Sequence, residues 1–274
     1  MVLPAGHARP GTADVPPTLM AGDTPMTGSP FDAVADHYDA ARPSYPDGLF
    51  DALEEITGPL AGQLVLDGGA GTGIATRQLS ARGARVTGYD IGEAMLRRAV
   101  ARSPELAFVI TDGNMLPFRD GRADLACFAQ SWHWLDQHQA SREVARVLKP
   151  GGHWAAWWNH SVADDEDWHD AYVSALEAAC PSYDRAQHDT DWTLEGLAGT
   201  GQFEPGTRVT VPWTRTVTAG DWITEQRSKS YVTALWPNER ERLLARIARI
   251  VGERFPDGQL TVPYRTGAWI ARRR

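Results

Sequence analysis

The segment Val65-Leu66-Asp67-Gly68-Gly69-Ala70-Gly71-Thr72-Gly73 carries the densest chemical signal in the chain. Glycines between an apolar run and a helical pattern let the backbone turn sharply and approach a ligand closely. Dinucleotide sites use the same device at G-x-G-x-x-G spacing, with pyrophosphate at the helix N-terminus. Here the glycines fall at 69, 71 and 73, and Ile74 stands where that pattern needs its third glycine. A carboxylate at Asp67, entering the loop, would oppose a pyrophosphate and favour a ligand bearing an ammonium or sulfonium group. Asp90 ends the next apolar run and is placed to accept both hydroxyls of a ribose. Its bland alternative is to cap the helix that follows.

Further along, His133 sits between Trp132 and Trp134. An imidazole titrates near neutrality and suits a general base for an oxygen or nitrogen acceptor. The competing reading is a packing residue that holds the two indoles. His160 is a second candidate base, and His153, at the start of a strand, reads as structural. All eleven tryptophans lie at or after Trp132. Trp154, Trp157, Trp158, Trp213 and Trp269 fall in strand patterns and read as core. Trp168, Trp192, Trp222 and Trp236 fall in other segments and, with Trp134, are candidates to line an acceptor pocket for an apolar, flat or cationic molecule. Arg42, Arg227 and Lys229 could instead hold an anionic one. Cys127, inside an apolar run, reads as a small buried hydrophobe. Neither it nor Cys180 has a spacing partner for zinc, so no metal is expected.

These residues need elements to position them. Residues 1–30 are rich in proline and read as a disordered leader. Asp47 can cap a short helix with Leu49, Phe50, Leu53 and Ile56 along one face. Strands are expected at 63–67, 84–90, 106–110, 124–129 and 153–158, and helices at 74–82, 92–102 and 138–148, the last stopped by Lys149-Pro150-Gly151-Gly152. Short apolar strands alternating with helices imply βαβ units and a parallel sheet covered on both faces. Ligands of such sheets lie beyond the carboxyl ends of the strands. Residues 208–217 and 260–271 read as two long alternating strands, with an amphipathic helix at 238–255 between them. The segments 160–190 and 218–258 are expected to cover the ligand end of the sheet.

Four stretches occur in order: Asp67-x-Gly69-x-Gly71-x-Gly73, Tyr89-Asp90, Asp112-Gly113-Asn114-Met115-Leu116-Pro117-Phe118 and Leu148-Lys149-Pro150-Gly151-Gly152. Together they resemble the successive motifs of class I S-adenosylmethionine-dependent methyltransferases over residues 31–158. Tyr38 to Pro46, Gln130-Ser131-Trp132-His133-Trp134 and Arg227-Ser228-Lys229-Ser230-Tyr231 are similar to the type-11, trans-aconitate-methyltransferase-like group. The resemblance implies a doubly wound, Rossmann-like α/β fold with a seven-stranded sheet and helical substrate-covering insertions, in a single domain over 31–274. It implies S-adenosylmethionine as cofactor. Asp67, Gly69, Gly71 and Gly73 would lie along its methionine part. Asp90 would hold the ribose, Ile91 would flank the adenine, and Asp112 and Gly113 would contact the adenine edge. Ala129 and Gln130 would sit beside the sulfonium, with Tyr38 and Arg42 folded over from the N-terminal arm. Thr111-Asp112-Gly113-Asn114 departs from the Gly-Asp-Ala-Glu-like stretch common in relatives.

The chain has 274 residues, 42% hydrophobic and 23% charged, with a formal charge of -8. That suits a folded protein and disfavours phosphate backbones and anionic lipids as partners. No apolar stretch approaches the ~20 residues of a membrane span. The N-terminus shows no signal pattern, and two unpaired cysteines fit a reducing cytoplasm. The expected activity is methyl transfer to a small organic molecule at oxygen or nitrogen. Rivals are a C-methyltransferase, a cofactor-binding protein of the same fold acting as a cyclase or binding module, a nicotinamide oxidoreductase, and a scaffold without chemistry.

Overall fold

The computed structural model describes residues 42–162, 167–183 and 195–274. The leader, Tyr38 and Trp192 lie outside the described residues. Seven strands form one sheet in the order β3-β2-β1-β4-β5-β7-β6. They are β1 (Leu64–Gly68), β2 (Arg85–Asp90), β3 (Ala107–Ile110), β4 (Ala123–Ala129), β5 (Leu148–Ser161), β6 (Thr207–Thr218) and β7 (Gln259–Arg272). The five strands from β3 to β5 are mutually parallel, and β7 is antiparallel to both neighbours. The helices are α1 (Asp47–Thr57), α2 (Ile74–Ala81), α3 (Glu93–Arg102), α4 (Gln137–Val147), α5 (Asp167–Ala179), α6 (Glu195–Ala198), α7 (Ala219–Arg227), α8 (Ser230–Thr233) and α9 (Pro237–Arg254).

Alternation along the strands builds two of the three cores, because successive side chains of a strand point to opposite faces. Leu125, Cys127, Ala155, Trp157, Ala268 and Ile270 face one side with Leu49, Phe50 and Leu53 of α1 and Leu79 of α2. Ala126, Phe128, Trp154, Ala156, Trp269 and Ala271 face the other with Val144 and Val147 of α4. The third core lies off the parallel part of the sheet. There Val217 of β6 and Leu260, Val262 and Tyr264 of β7 meet Trp168 and Leu176 of α5, Trp222 of α7 and the α9 stripe Leu243, Leu244, Ile247 and Val251. Burying each of those α9 side chains contributes about 1.5–3 kcal/mol relative to exposure.

Some local readings change. Asp47 is the first helical residue, the cap position falls on Pro46 with no side-chain cap, and Ile56 is 36% exposed. The helix before Lys149 to Gly152 does stop there, ending at Val147. β5 starts at Leu148 directly after α4, and the four residues form a bulge, pairing Ala123 with Leu148 but Leu125 with His153. Gly151 at φ 80° makes the turn possible. Among the described residues, no helix is long and apolar enough to cross a membrane.

Candidate active site

The carboxyl ends of β1, β2 and β4 converge. After β1 the chain passes through Gly69, Gly71 and Gly73, all with positive φ, and enters α2. Gly69 is required twice over. Its φ is 66°, and a Cβ there would lie 2.3 Å from the Cβ of Ser131. Ser131 in turn donates from Oγ to the Gly68 carbonyl at 2.6 Å, which ties the end of β4 to the loop. Gln130 beside it has φ 55°, the one non-glycine in the left-handed region among the described residues. Strain of that kind costs about 1–3 kcal/mol and marks a backbone held for use.

Asp90 organises the same loop from β2. Oδ2 accepts from the Gly71 N–H at 2.8 Å and Oδ1 from the Gly92 N–H at 2.8 Å. A carboxylate retains lone pairs for hydroxyl donors beyond these two bonds. Ile91 is 41% exposed next to it. Across β3, Asp112 Oδ1 accepts from both the backbone N–H and the side-chain amide of Asn114, at 2.8 and 2.9 Å. Asn114 Oδ1 accepts from the Asp136 N–H, and a Cβ on Gly113 would meet Leu135 at 2.8 Å. The Asp112–Gly113 turn is thereby fixed against the start of α4.

Asp67 lies beneath the loop and does not open onto it. It is fully buried and accepts from Thr76 Oγ1 at 2.6 Å, with the Cys127 thiol at 3.7 Å. Burial raises its pKa to about 6, opposed by the Thr76 and Cys127 contacts and helped by the charge on Asp90. At pH 7 it is chiefly an ionised carboxylate under the glycines.

His133 occupies the single 3₁₀ turn Trp132–Trp134 after β4. Trp132 anchors that turn, with no exposed surface and edge contacts to Phe128 and Trp154. The Trp158 indole N–H donates to His133 Nδ1 at 3.3 Å. That bond assigns the neutral ring's proton to Nε2. The ring keeps an exposed edge, yet the protein packed around it pulls its pKa down, to about 4. Solvent at that edge tempers the size of the shift and leaves its sign. His133 is thus a neutral hydrogen-bond donor near pH 7 and a weak proton acceptor.

A second cleft, of about 120 Å³, opens above the carboxyl end of β5. His160, Lys229 and Trp222 all line it, among tyrosines 172, 183, 231 and 264. It starts two residues beyond Trp157, whose carbonyl accepts from the Gln130 N–H at 2.9 Å. The remaining candidates go elsewhere. Arg227 forms a two-pronged ion pair with Glu241 of α9. Arg42 donates from Nε and Nη2 to the hydroxyl and carbonyl of Ser228, both at 3.0 Å. Trp236 is 75% exposed and Trp134 54% exposed, and neither lines this cleft. Trp168 is packed in the third core. Sequence reasoning missed Ser131, Thr76, Trp158 and Glu225. Ser131 stood in the Gln130 to Trp134 motif and Trp158 in a strand pattern without a role at the site, and Glu225 left its i,i+4 spacing to Lys229.

A sheet of this order, with one antiparallel strand, a glycine loop after β1 and an acid ending β2, is similar to that of class I S-adenosylmethionine-dependent methyltransferase domains. The residues fit that cofactor. The loop leaves no room for a Cβ at Gly69, Asp90 offers acceptor oxygens, Ile91 presents apolar surface, and the buried charge of Asp67 suits a sulfonium. In agreement, residues 66–156 match the family model described as "Methyltransferase domain". An uncharacterized methyltransferase of Mycobacterium bovis is 39% identical over 129 residues, 47% of this chain and 51% of that protein. The chain therefore spans about half the length of the mycobacterial relative it matches. The solved structure of a proposed type II methyltransferase from Anaeromyxobacter dehalogenans superposes with a TM-score of 0.65 at 24% identity, covering 85% of this chain and 97% of that one. A Haemonchus contortus phosphoethanolamine N-methyltransferase 2, solved with phosphomonomethylethanolamine and S-adenosylhomocysteine, superposes with a TM-score of 0.51 at 17% identity, covering 88% and 57%.

Proposed function

We propose that the chain transfers the methyl group of S-adenosylmethionine to a small organic molecule, at oxygen or nitrogen. The observation that carries this is the loop in which Asp90 accepts from the Gly71 N–H, Ser131 donates to the Gly68 carbonyl and packs against Gly69, and the strained Gln130 stands beside Ser131. When bound, S-adenosylmethionine supplies an electrophilic methyl: its S–C bond breaks with the electron pair returning to sulfur as the acceptor's lone pair forms the new bond. Gln130 and Ala129 would flank that centre, Asp90 the ribose, and Ile91, Asp112 and Gly113 the adenine. The acceptor would occupy the cleft beyond β5, aligned within about 3–3.5 Å of the methyl carbon, where positioning supplies much of the acceleration. His160 is the candidate base there, and His133 serves better as a donor that orients the acceptor. Arg42 would close the N-terminal arm over the site through Ser228.

The placing among trans-aconitate-methyltransferase-like enzymes, a cytoplasmic location, and the exclusion of nucleic acid and membrane as partners belong to the same reading. They are supported by the motifs around Tyr38, His133 and Lys229 and by the acidic charge balance. Calorimetric titration with S-adenosylhomocysteine and with NADH, on wild type and on Asp90→Ala, tests the proposal. Binding of the first ligand alone, weakened by the substitution, is expected. NADH bound in its place would overturn the reading.

A further inference from the structure

A further cavity opens at the opposite end of the sheet. Its volume is about 200 Å³, larger than that of the cleft beyond β5. A parallel crossover usually lays a helix across the sheet face it spans. The crossover from β3 to β4 holds no helix. Residues 111–122 pass as an irregular segment instead, and the amino ends of β1 and β2 stay partly open on the face that packs against Val147. Cofactors of such sheets lie at the carboxyl ends of the strands. Arg85 opens β2 and Asp90 ends it, which sets the cavity roughly 16 Å from the glycine loop at about 3.3 Å per residue.

Its lining joins an apolar floor to a group of cations. Leu66 of β1 stands beside Thr87 of β2, with Phe118 from the crossover and Val147 from the end of α4. Arg85, Arg119 and Arg122 line the same space, all three exposed, and no carboxylate is among the described lining residues. The acids nearest in sequence are engaged elsewhere. Asp120 pairs with Arg146 and Asp124 with Lys149, each at 2.6 Å. None of the three arginines makes a side-chain hydrogen bond or ion pair with another described residue. An arginine on a protein of formal charge -8 readily finds an acid, as Arg82 does with Asp51 and Glu54. Three that converge on one cavity without an acid leave it locally positive.

We propose that this cavity is a separate ligand site for a small organic phosphate, with the phosphate on Arg85, Arg119 and Arg122 and an apolar or aromatic body on Leu66, Phe118 and Val147. Guanidinium forks match phosphate oxygens two at a time, which a point charge does not. A mostly apolar floor with a few polar groups at its rim is the usual build of a small-molecule site. The overall negative charge opposes an extended phosphate backbone, which spans much of the surface. A single phosphate group meets only the local excess of cations. The inference goes beyond the methyl-transfer reading and does not depend on it, since the cavity shares no lining residue with the glycine loop or the cleft beyond β5.

The test titrates the full chain calorimetrically with phenyl phosphate, with inorganic phosphate and with phenol at low salt. Phenyl phosphate should bind most tightly, because it alone supplies both the charge and the body. In the double variant Arg119→Gln with Arg122→Gln its affinity should fall about tenfold or more, through loss of charge-assisted bonds. Phe118→Ala should weaken phenyl phosphate and leave inorganic phosphate unchanged. S-adenosylhomocysteine affinity should be the same in all variants and reports that they are folded, while the comparison of the three probes on wild type needs no variant. Phenol bound as tightly as phenyl phosphate would reduce the site to an apolar groove, and inorganic phosphate bound as tightly would reduce it to surface charge. Either result overturns the proposal, as does phenyl phosphate that fails to bind or binds the double arginine variant equally well.

Discussion

Replacing Asp67 by Asn should stabilise the protein at neutral pH and weaken its preference for a cationic cofactor. Asp67 has no exposed surface and its pKa is raised from 3.8 to about 6, mainly by burial. The neighbouring Cys127 thiol and Tyr89 phenol, also buried, are pushed well above their usual values, so Asp67 alone of the three ionises near neutrality. A carboxyl whose folded pKa is raised favours folding fully below its unfolded pKa, and that contribution disappears as pH rises through the folded value. Raising it from 3.8 to about 6 makes the ionised form cost about 3 kcal/mol, at about 1.4 kcal/mol per pH unit. The substituted amide would keep an oxygen for Thr76 Oγ1 and carry no charge. The stability advantage of Asp67→Asn over wild type should therefore grow by about 3 kcal/mol between pH 3 and pH 8, or about 6–12 °C in melting temperature. Urea unfolding at closely spaced pH values measures it. In parallel, the ratio of S-adenosylmethionine to S-adenosylhomocysteine affinity should fall, since the two ligands differ by the sulfonium charge. Parallel pH–stability curves for the two proteins would refute the electrostatic assignment.

Gly69→Ala should cost about 2 kcal/mol or more in stability and most of the S-adenosylhomocysteine affinity, because a Cβ there meets Ser131 at 2.3 Å. Adding Ser131→Gly should return part of the loss, and a double-mutant cycle by calorimetry checks it. Glu225→Gln should destabilise by about 3–5 kcal/mol, leaving Arg215 and Lys229 against a neutral amide in a buried site; denaturant midpoints decide, and a loss under about 1 kcal/mol would mean that the cluster is already solvated. Nitrogen-15 NMR should find His133 as the neutral Nε2–H tautomer from pH 6 to pH 8. Trp158→Phe should raise its pKa by removing the donor to Nδ1.

The parallel core was legible because each strand announces itself as a short apolar run ending in a chemically marked residue. Asp67 and Asp90 close β1 and β2, and the glycine cluster fills a turn tight enough to need it. The long strands β6 and β7 showed through alternation, and α9 through its stripe of Leu243, Leu244, Ile247 and Val251. What stayed hidden depends on pairs distant in sequence. Asp67 looks ligand-facing until Thr76, nine positions on, takes its oxygen from below. Arg227 looks like a substrate cation until Glu241 of α9 is seen to hold it. His133 reads as a base from its type alone. Its partner Trp158 lies in a different strand, and no local pattern reports which ring nitrogen that indole occupies. Lys149 to Gly152 does stop α4, which ends at Val147, but that the same residues form a bulge opening β5 stayed hidden because Pro and Gly punctuate loops more often than strands.

The distribution of charge across the sheet separates two tasks that one pocket could not perform well. Acids gather at β1 and β2, where Asp67 and Asp90 place negative charge around the glycine loop, and on the proposed reading both would bear on a cationic cofactor. Cations gather beyond β5, where Lys229, Arg265 and the histidines line the second cleft. Trp157 and Gln130 form the seam between them, with a hydrogen bond from the β4 terminus to β5. An anionic acceptor entering beyond β5 would be repelled by the loop acids unless the sulfonium were already present. For an acceptor of that charge, binding should therefore favour cofactor first, and its apparent affinity should be higher with S-adenosylmethionine bound than with S-adenosylhomocysteine, which lacks the charge. With Asp67→Asn that difference should shrink, because the repulsion that the sulfonium relieves would already be reduced. Titration of succinate, as an anionic probe, against the two cofactor forms of both proteins measures it, and equal affinities in all four states would show that the two clefts do not sense each other's charge.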